Sequence, residues 1–315
     1  MDKTSAEEEN HNEGAEGKVS VLEDENGEQL KVVTFEEIVM PVSAMQKGIK
    51  ARLSYVKKLP YQDGDVLVSS YPKTGTHWTA NLLHFLMYHG PLDTLVSHPP
   101  CLIDLFNYED WPQKRDGNRI IVSHYQPKRL PAEHFEKGGK TIVVFRNPKD
   151  TSVSLFHHLR KFTKIGGLKL SWNSYINYWM DGKMPFGSYF DYYNNWQQQI
   201  KEKPEQNVLV VQYEDLKKDS LNQLRRIQNY LGLNHSDERL QAVLDKCSLG
   251  TLKAEVENGK VKTPLIDEKG KSILYRKGVI GDWKNLFTVA QNEKIEELIE
   301  EKFRNSMFSY DVWNC

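Results

Sequence analysis

Residues 65 to 86 read DVLVSSYPKTGTHWTANLLHFL: an apolar run at 66–69, the octet YPKTGTHW from Tyr71 to Trp78, and a helical apolar periodicity over 78–88. A strand that turns through a small residue into a helix makes a cradle for phosphate. Unpaired N–H groups and the positive dipole end at a helix N-terminus hold an anion wherever the backbone can approach it. Gly75 is the small residue here. Lys73 adds a mobile cation, Thr74 and Thr76 add hydroxyl donors, and Trp78 adds a flat face on which adenine can stack. Read in isolation, the segment is equally a plain strand-to-helix turn. It departs from GxxxxGK[ST], in which Lys directly follows Gly and precedes the hydroxyl that holds Mg²⁺, so a magnesium-dependent NTPase is disfavoured.

Further apolar or alternating runs at 119–123, 141–145 and 208–212 predict strands, and 3.6-residue periodicity predicts helices over 150–161, 188–201, 221–231, 237–247 and 290–303. Strands separated by helical stretches imply an α/β fold: a single domain with a mostly parallel central sheet flanked by helices and a P-loop-like strand-loop-helix. In such sheets ligands bind at the carboxyl ends of the strands.

The 315 residues, 39% of them apolar, suffice for one large domain. No apolar run approaches the ~18 residues of a membrane span. The opening MDKTSAEEENHNEGAEG has no apolar signal core, and Cys101, Cys247 and Cys315 fit reduced thiols, so a cytoplasmic location is expected, with neither membrane nor nucleic acid as a partner. Residues 1–30 hold ten acids against two lysines, a balance of −8 in a chain of net −1, which leaves +7 on the rest. Residues 1–40 are therefore expected to be an acidic, disordered tail and 41–315 the folded domain.

Two more basic loops accompany Lys73. In TIVVFRNPKDTSVS, Arg146 stands at a strand end and Ser154 on a helix that Pro148 and Asp150 start; in LYRKGVIGDWKNLF, Arg276 and Lys277 flank Gly278. Singly each is an ordinary surface feature. Together they suit one nucleotide with two separated anionic groups. His124, in RIIVSHYQP, lies at the same sheet edge; a lone His is usually structural, but here a neutral imidazole can take a proton from an acceptor.

These segments resemble the cytosolic sulfotransferase family over most of the chain. YPKTGTHW is similar to that family's 5′-phosphosulfate loop YPKSGTTW, FRNPKDTSVS to its 3′-phosphate element, and RKGVIGDWKNLFTVAQNE to its RKGxxGDWKNxFT signature. The resemblance implies 3′-phosphoadenosine 5′-phosphosulfate (PAPS) as donor and no metal. It sets Lys73, Thr74, Gly75, Thr76, His77 and Trp78 around the 5′-phosphosulfate and adenine. Arg146, Ser154, Arg276, Lys277 and Gly278 fall on the 3′-phosphate, and Tyr213, Cys247, Ser248 and Leu249 near the adenine. His124 falls on the catalytic base, with Lys73 stabilising the leaving phosphate oxygen. A family dimer motif KxxxTVxxxE aligns with Lys284, Thr288, Val289 and Glu293, which implies a homodimer. The chain departs from the family in having Val122 for a frequent Lys, His77 for Thr, and Cys247 and Leu249 for Thr and Phe. A nucleotide-binding module without turnover and, less in keeping with the motifs, a small-molecule kinase are the rival readings. For the acceptor, Phe156, His157, Trp172 and Trp179 suggest a pocket for a phenol, sterol or amine, and read equally as core packing.

Overall fold

The computed structural model describes residues 17–42, 48–97, 101–107, 119–162, 167–261 and, apart from 262, 264, 266 and 270, 263–308. The chain opens with a three-stranded antiparallel sheet of β1 (Lys18–Glu23), β2 (Gln29–Phe35) and β3 (Ile38–Pro41). This corrects the expected tail, since 18–40 are ordered and Val32, Val33 and Met40 are at most 2% exposed. The alternation in QLKVVTF and the turn at 24–28, where Asp24 Oδ1 accepts the N–H groups of Asn26 and Glu28, outweigh the local acidic composition. Residues 1–16, the remainder of that expected tail, lie outside the described residues, as does Cys315.

After α1 (Ile49–Lys57) comes the central sheet: β4 (Val66–Ser70), β5 (Cys101–Leu102), β6 (Ile120–Ser123), β7 (Lys140–Phe145) and β8 (Val208–Gln212), with the short α3 (Ala132–Glu136) between β6 and β7. The spatial order is β5-β6-β4-β7-β8 and every neighbouring pair is parallel. Such a sheet is buried on both faces because crossover helices cover them. Side chains therefore split by parity. Leu67, Ile121, Val143 and Phe145 join one core, with α4 (Pro148–Lys161), α5 (Trp172–Met180), α6 (Tyr189–Glu202) and α11 (Val289–Phe303). Val66, Val68, Val122, Ile142 and Val144 join the other, with α2 (Thr76–Leu86), α8 (Ser220–Leu231) and α9 (Asp237–Lys246). At the amino edge of the sheet, buried Arg119 closes a two-pronged pair on Asp65, Nε to Oδ1 at 2.7 Å and Nη2 to Oδ2 at 2.5 Å.

The carboxyl ends of β4, β6, β7 and β8 deliver Tyr71 to Gly75, His124, Arg146 and Tyr213 to one side of the molecule. A short α7 (Tyr213–Lys218) and α10 (Leu249–Glu257) complete that side. Among the described residues no helix is long and apolar enough to cross a membrane.

Candidate active site

A cavity of about 420 Å³ opens at those strand ends, and Lys73, Gly75, Thr76, His77 and Trp78 line its floor. Gly75 caps α2 at φ 105°, a left-handed value that suits a residue without Cβ. A Cβ there would lie 2.6 Å from Tyr213 Cδ2, so only glycine lets β8's end close over the loop. Among the described residues no side-chain cap hydrogen bond closes this helix start, which leaves its amino end suited to an anion. The Thr76 hydroxyl meets Ser70 Oγ at 2.6 Å. Thr74 differs from expectation: its hydroxyl donates back to the Tyr71 carbonyl at 2.7 Å and does not line the cavity, so it braces the turn.

Lys73 itself has φ 70°, uncommon for a residue with a side chain. Arg146 Nη1 donates to its carbonyl at 3.3 Å and Nη2 to the Val279 carbonyl at 3.0 Å, which ties β7's end to both other basic loops. Burial, with Arg146 and Arg276 adding repulsion, holds the Lys73 ammonium down at about 8. Its Nζ lies 3.5 Å from His158 Nδ1.

Ser154, Arg276, Lys277 and Gly278 line the cavity together with Arg146. Asp282 holds both cations, Arg276 Nη1 at 2.6 Å and Lys277 Nζ at 2.7 Å. Burial opposes ionisation of Asp282, yet hydrogen bonds from Lys277, Arg276 and Asn285 hold its carboxyl well below the usual range. The helix behind, α4, is capped by Asn147, whose Oδ1 accepts from Lys149 N at 2.8 Å and Asp150 N at 3.4 Å, with Pro148 as first residue. Asp150 thus does not start the helix. Its carboxylate receives Gly281 N–H at 2.7 Å and Trp283 N–H at 3.0 Å and so anchors the Arg276 loop.

Trp78 stands with its Nε1 donating to the Cys247 carbonyl at 3.0 Å and its ring edge-on to Tyr213, centroids 5.6 Å apart. Lys217 Nζ sits 5.3 Å from the indole centroid. Tyr213, Cys247, Ser248 and Leu249 all border this end of the cavity.

His124 lines the same cavity. Its Nδ1 is 2.7 Å from the Ser70 carbonyl, an oxygen that only accepts, so Nδ1 carries the proton and Nε2 keeps its lone pair. Burial, with Lys73 assisting, holds the imidazole down at about 4 against the favourable Ser70 bond. Phe186 meets the ring edge-on at 5.6 Å from φ 78°, a strained value fixed by its N–H bond to the Val39 carbonyl at 2.7 Å. Met40, Leu105, Leu159, Phe162 and Leu274 form apolar walls nearby.

Of the aromatic positions considered for an acceptor pocket, only His157 reaches the cavity. Phe156 and Trp172 pack with Tyr175, and Trp179 is 1% exposed against Tyr71 and Tyr189. Sequence reasoning passed over Asp282, Lys217, Phe186 and Met40. Asp282 was visible inside GDWKN; the others carry no local signal, because their places depend on distant segments.

Nε of Arg146 and Nε of Arg276 are buried without a hydrogen-bond partner among the described residues, so the part of the cavity that these two arginines line holds unused donors suited to an anion.

Comparison with known proteins agrees with this geometry. The profile of the sulfotransferase domain family matches residues 63–307. Sulfotransferase 6B1 of Danio rerio is 30% identical over 268 residues, covering 83% of this chain and 87% of the relative. Human sulfotransferase 2A1 is 30% identical over 279 residues, covering 85% and 93%. Among solved structures, mouse sulfotransferase SULT7A1 complexed with PAP superposes with a TM-score of 0.69 at 27% identity, covering 90% of this chain and 98% of that one. Retinol dehydratase in complex with androsterone and inactive cofactor PAP gives 0.73 at 17% identity over 93% and 92%, a likeness of fold. With the family profile spanning most of the chain, and relatives 30% identical over 83% and 85% of it, the protein belongs to the cytosolic sulfotransferase family, enzymes that move a sulfuryl group from PAPS to a small acceptor.

Proposed function

We propose that His124 is the general base of this transfer and that the acceptor is a small apolar molecule bearing a hydroxyl or amine, a phenol or sterol above all. The observation that carries the reading is the 2.7 Å bond from His124 Nδ1 to the Ser70 carbonyl, which leaves Nε2 unprotonated in a ring that lines the cavity. Held at about 4, the imidazole is neutral throughout the physiological range. It accepts the acceptor's proton as the acceptor atom forms its bond to sulfur, while the bond from sulfur to the 5′-phosphate oxygen breaks. Lys73 and the N–H groups of α2's first turn take up the charge that develops on that leaving oxygen. Thr76, His77 and Trp78 complete the donor's 5′ and adenine end together with Tyr213, Cys247, Ser248 and Leu249. The 3′-phosphate is held by Arg146, Ser154, Arg276, Lys277 and Gly278, the two cations turning from Asp282 toward it. Thr74 contributes through its backbone and the turn it braces.

Met40, Leu105, Phe162, Phe186 and Leu274 supply the acceptor's apolar surroundings, which suit a flat or steroidal body with one polar end. Androsterone in the retinol dehydratase complex supports a ligand of that size. Lys284, Thr288 and Glu293 are exposed and Val289 is 76% exposed, which supports self-association through this segment into a homodimer. Buried free thiols at Cys101 and Cys247 support a reducing, cytoplasmic setting.

Calorimetric titration with adenosine 3′,5′-bisphosphate (PAP) in metal-free buffer tests the donor site. Tight binding of PAP and little response to ATP with Mg²⁺ are expected. His124→Ala is expected to bind PAP as the wild type does and to lose transfer; loss of PAP binding in that variant would take His124 out of the base role.

A further inference from the structure

The ladder between β6 and β4 ends at Ser69 opposite Ser123, so His124 lies one residue beyond the last strand pair. A backbone N–H in that position needs another acceptor. Asp104 provides it. This carboxylate is 1% exposed, follows β5, and does not touch the cavity. Its Oδ2 accepts the His124 N–H at 2.6 Å, and its Oδ1 accepts the Ser123 hydroxyl at 2.5 Å. Ser123 Oγ in turn accepts the Tyr125 N–H at 3.0 Å. Two consecutive residues thus bond directly to one buried carboxylate, and the third is tied to it through the Ser123 hydroxyl.

The segment that carries Asp104 is itself braced on both sides. Ile103 N–H donates to the Val122 carbonyl at 3.0 Å, and Arg52 of α1 donates to Asn107 Oδ1 at 2.9 Å and to the Ile103 carbonyl at 3.5 Å. Asp104 therefore works as a fixed post. Among the described residues the imidazole has one hydrogen bond of its own, Nδ1 to the Ser70 carbonyl. That bond selects the tautomer only while the Cα of His124 stays where β6's end holds it, because Ser70 belongs to the neighbouring strand.

We propose that Asp104 is a positioning residue of the transfer reaction: by clamping the Ser123 hydroxyl and the His124 N–H it fixes the backbone from which the His124 ring reaches both Ser70 and the cavity. This rests on reading His124 as the base. The role is geometric, since the carboxylate touches neither the ring nor the cavity. Asp104→Asn keeps one acceptor oxygen and sets an amide N–H₂ against a donor, Ser123→Ala removes one arm, and Asp104→Ala removes both.

The test uses the full chain with PAP and, for turnover, PAPS with 2-naphthol as the probe acceptor. In Asp104→Ala, ¹⁵N NMR of labelled histidine is expected to show His124 leaving the pure Nδ1–H form while PAP affinity holds. Turnover is expected to fall about 10-fold to 100-fold, as a misplaced catalytic group costs, with Ser123→Ala and Asp104→Asn moving the same way by less. Placed on a His124→Ala background, Asp104→Ala should cost nothing further. An unchanged tautomer signal in all three variants, or an equal loss with and without His124, would overturn the proposal. Should Asp104→Ala fail to fold, Asp104→Asn and Ser123→Ala carry the same readouts. Full turnover by His124→Ala would instead refute the base assignment, and the tautomer signal would still decide whether Asp104 holds the ring.

Discussion

The proposed transfer needs Lys73 and His124 in opposite protonation states at one pH, and burial acts on both in the same direction. Desolvation disfavours the charged form of each base, so the imidazole, starting near neutrality, is driven down to about 4 and stays neutral, whereas the ammonium, starting at 10.5, falls only to about 8 and keeps its proton. The working window lies between the two. We expect kcat/KM for the donor, which reports the free enzyme, to fall as pH rises through about 8, because the deprotonated Lys73 amine no longer neutralises the leaving oxygen. The charge lost is Lys73's own, so Lys73→Arg should move this alkaline limb to higher pH; a limb that stays near 8 in that variant would assign the titration to another group.

At the scale of the element, the decisive unit is the junction of β4 with α2. It needs a left-handed residue at position 75, an uncapped helix start, and room for Tyr213 to pack against the turn. Gly75→Ala meets both a backbone penalty of about 1–2 kcal/mol for an L-residue in that conformation and a clash at 2.6 Å with Tyr213 Cδ2. Displacing Tyr213 also disturbs Arg146, whose guanidinium stacks 4.5 Å from that ring. We expect PAP affinity to drop by at least about tenfold, equivalent to 1.4 kcal/mol, with the melting temperature lowered. Affinity within error of wild type would mean that the loop does not form the floor of the donor site.

For the whole molecule, the amino-terminal sheet is the part that departs most from the acidic composition of its segment. It joins the same core as α5, α6 and α11, and Met40 and Pro41 extend from it to the cavity. Met40→Ala should lower stability by about 2–5 kcal/mol, the usual loss for a buried Met, and raise KM for the acceptor while leaving PAP affinity unchanged. A disordered tail would give no change in either, so a silent Met40→Ala would restore that view. The amino-terminal sheet thus contributes both to the core and to the cavity wall, while Lys73, Arg146, Tyr213 and Arg276 reach the cavity from the ends of β4, β7 and β8 and from the 276–283 loop.

Strong local signals made much of this legible from the residues in order. The strands expected at 66–69, 119–123, 141–145 and 208–212 correspond to β4, β6, β7 and β8, and the six predicted helices to α2, α4, α6, α8, α9 and α11, within two residues at each end. Parallel strands buried on both faces read as apolar runs, and amphipathic helices repeat their pattern several times, so each is written within a short window. The three basic loops were legible for the same reason, because each lies within one strand-loop-helix or one loop, and the fold brings Lys73, Arg146 and Arg276 to one cavity. What tertiary structure alone decided is everything that depends on two distant segments meeting. Asp104 and His124 stand 20 residues apart, yet the His124 N–H donates to the Asp104 carboxylate; Asp282 pairs with both Arg276 and Lys277; Thr74 turns inward; Met40 and Phe186 reach the cavity that His124 lines from distant parts of the chain. Two-residue β5 and the amino-terminal strands are too short, or too charged, to announce themselves, and they exist because neighbours satisfy their backbone and bury their apolar side.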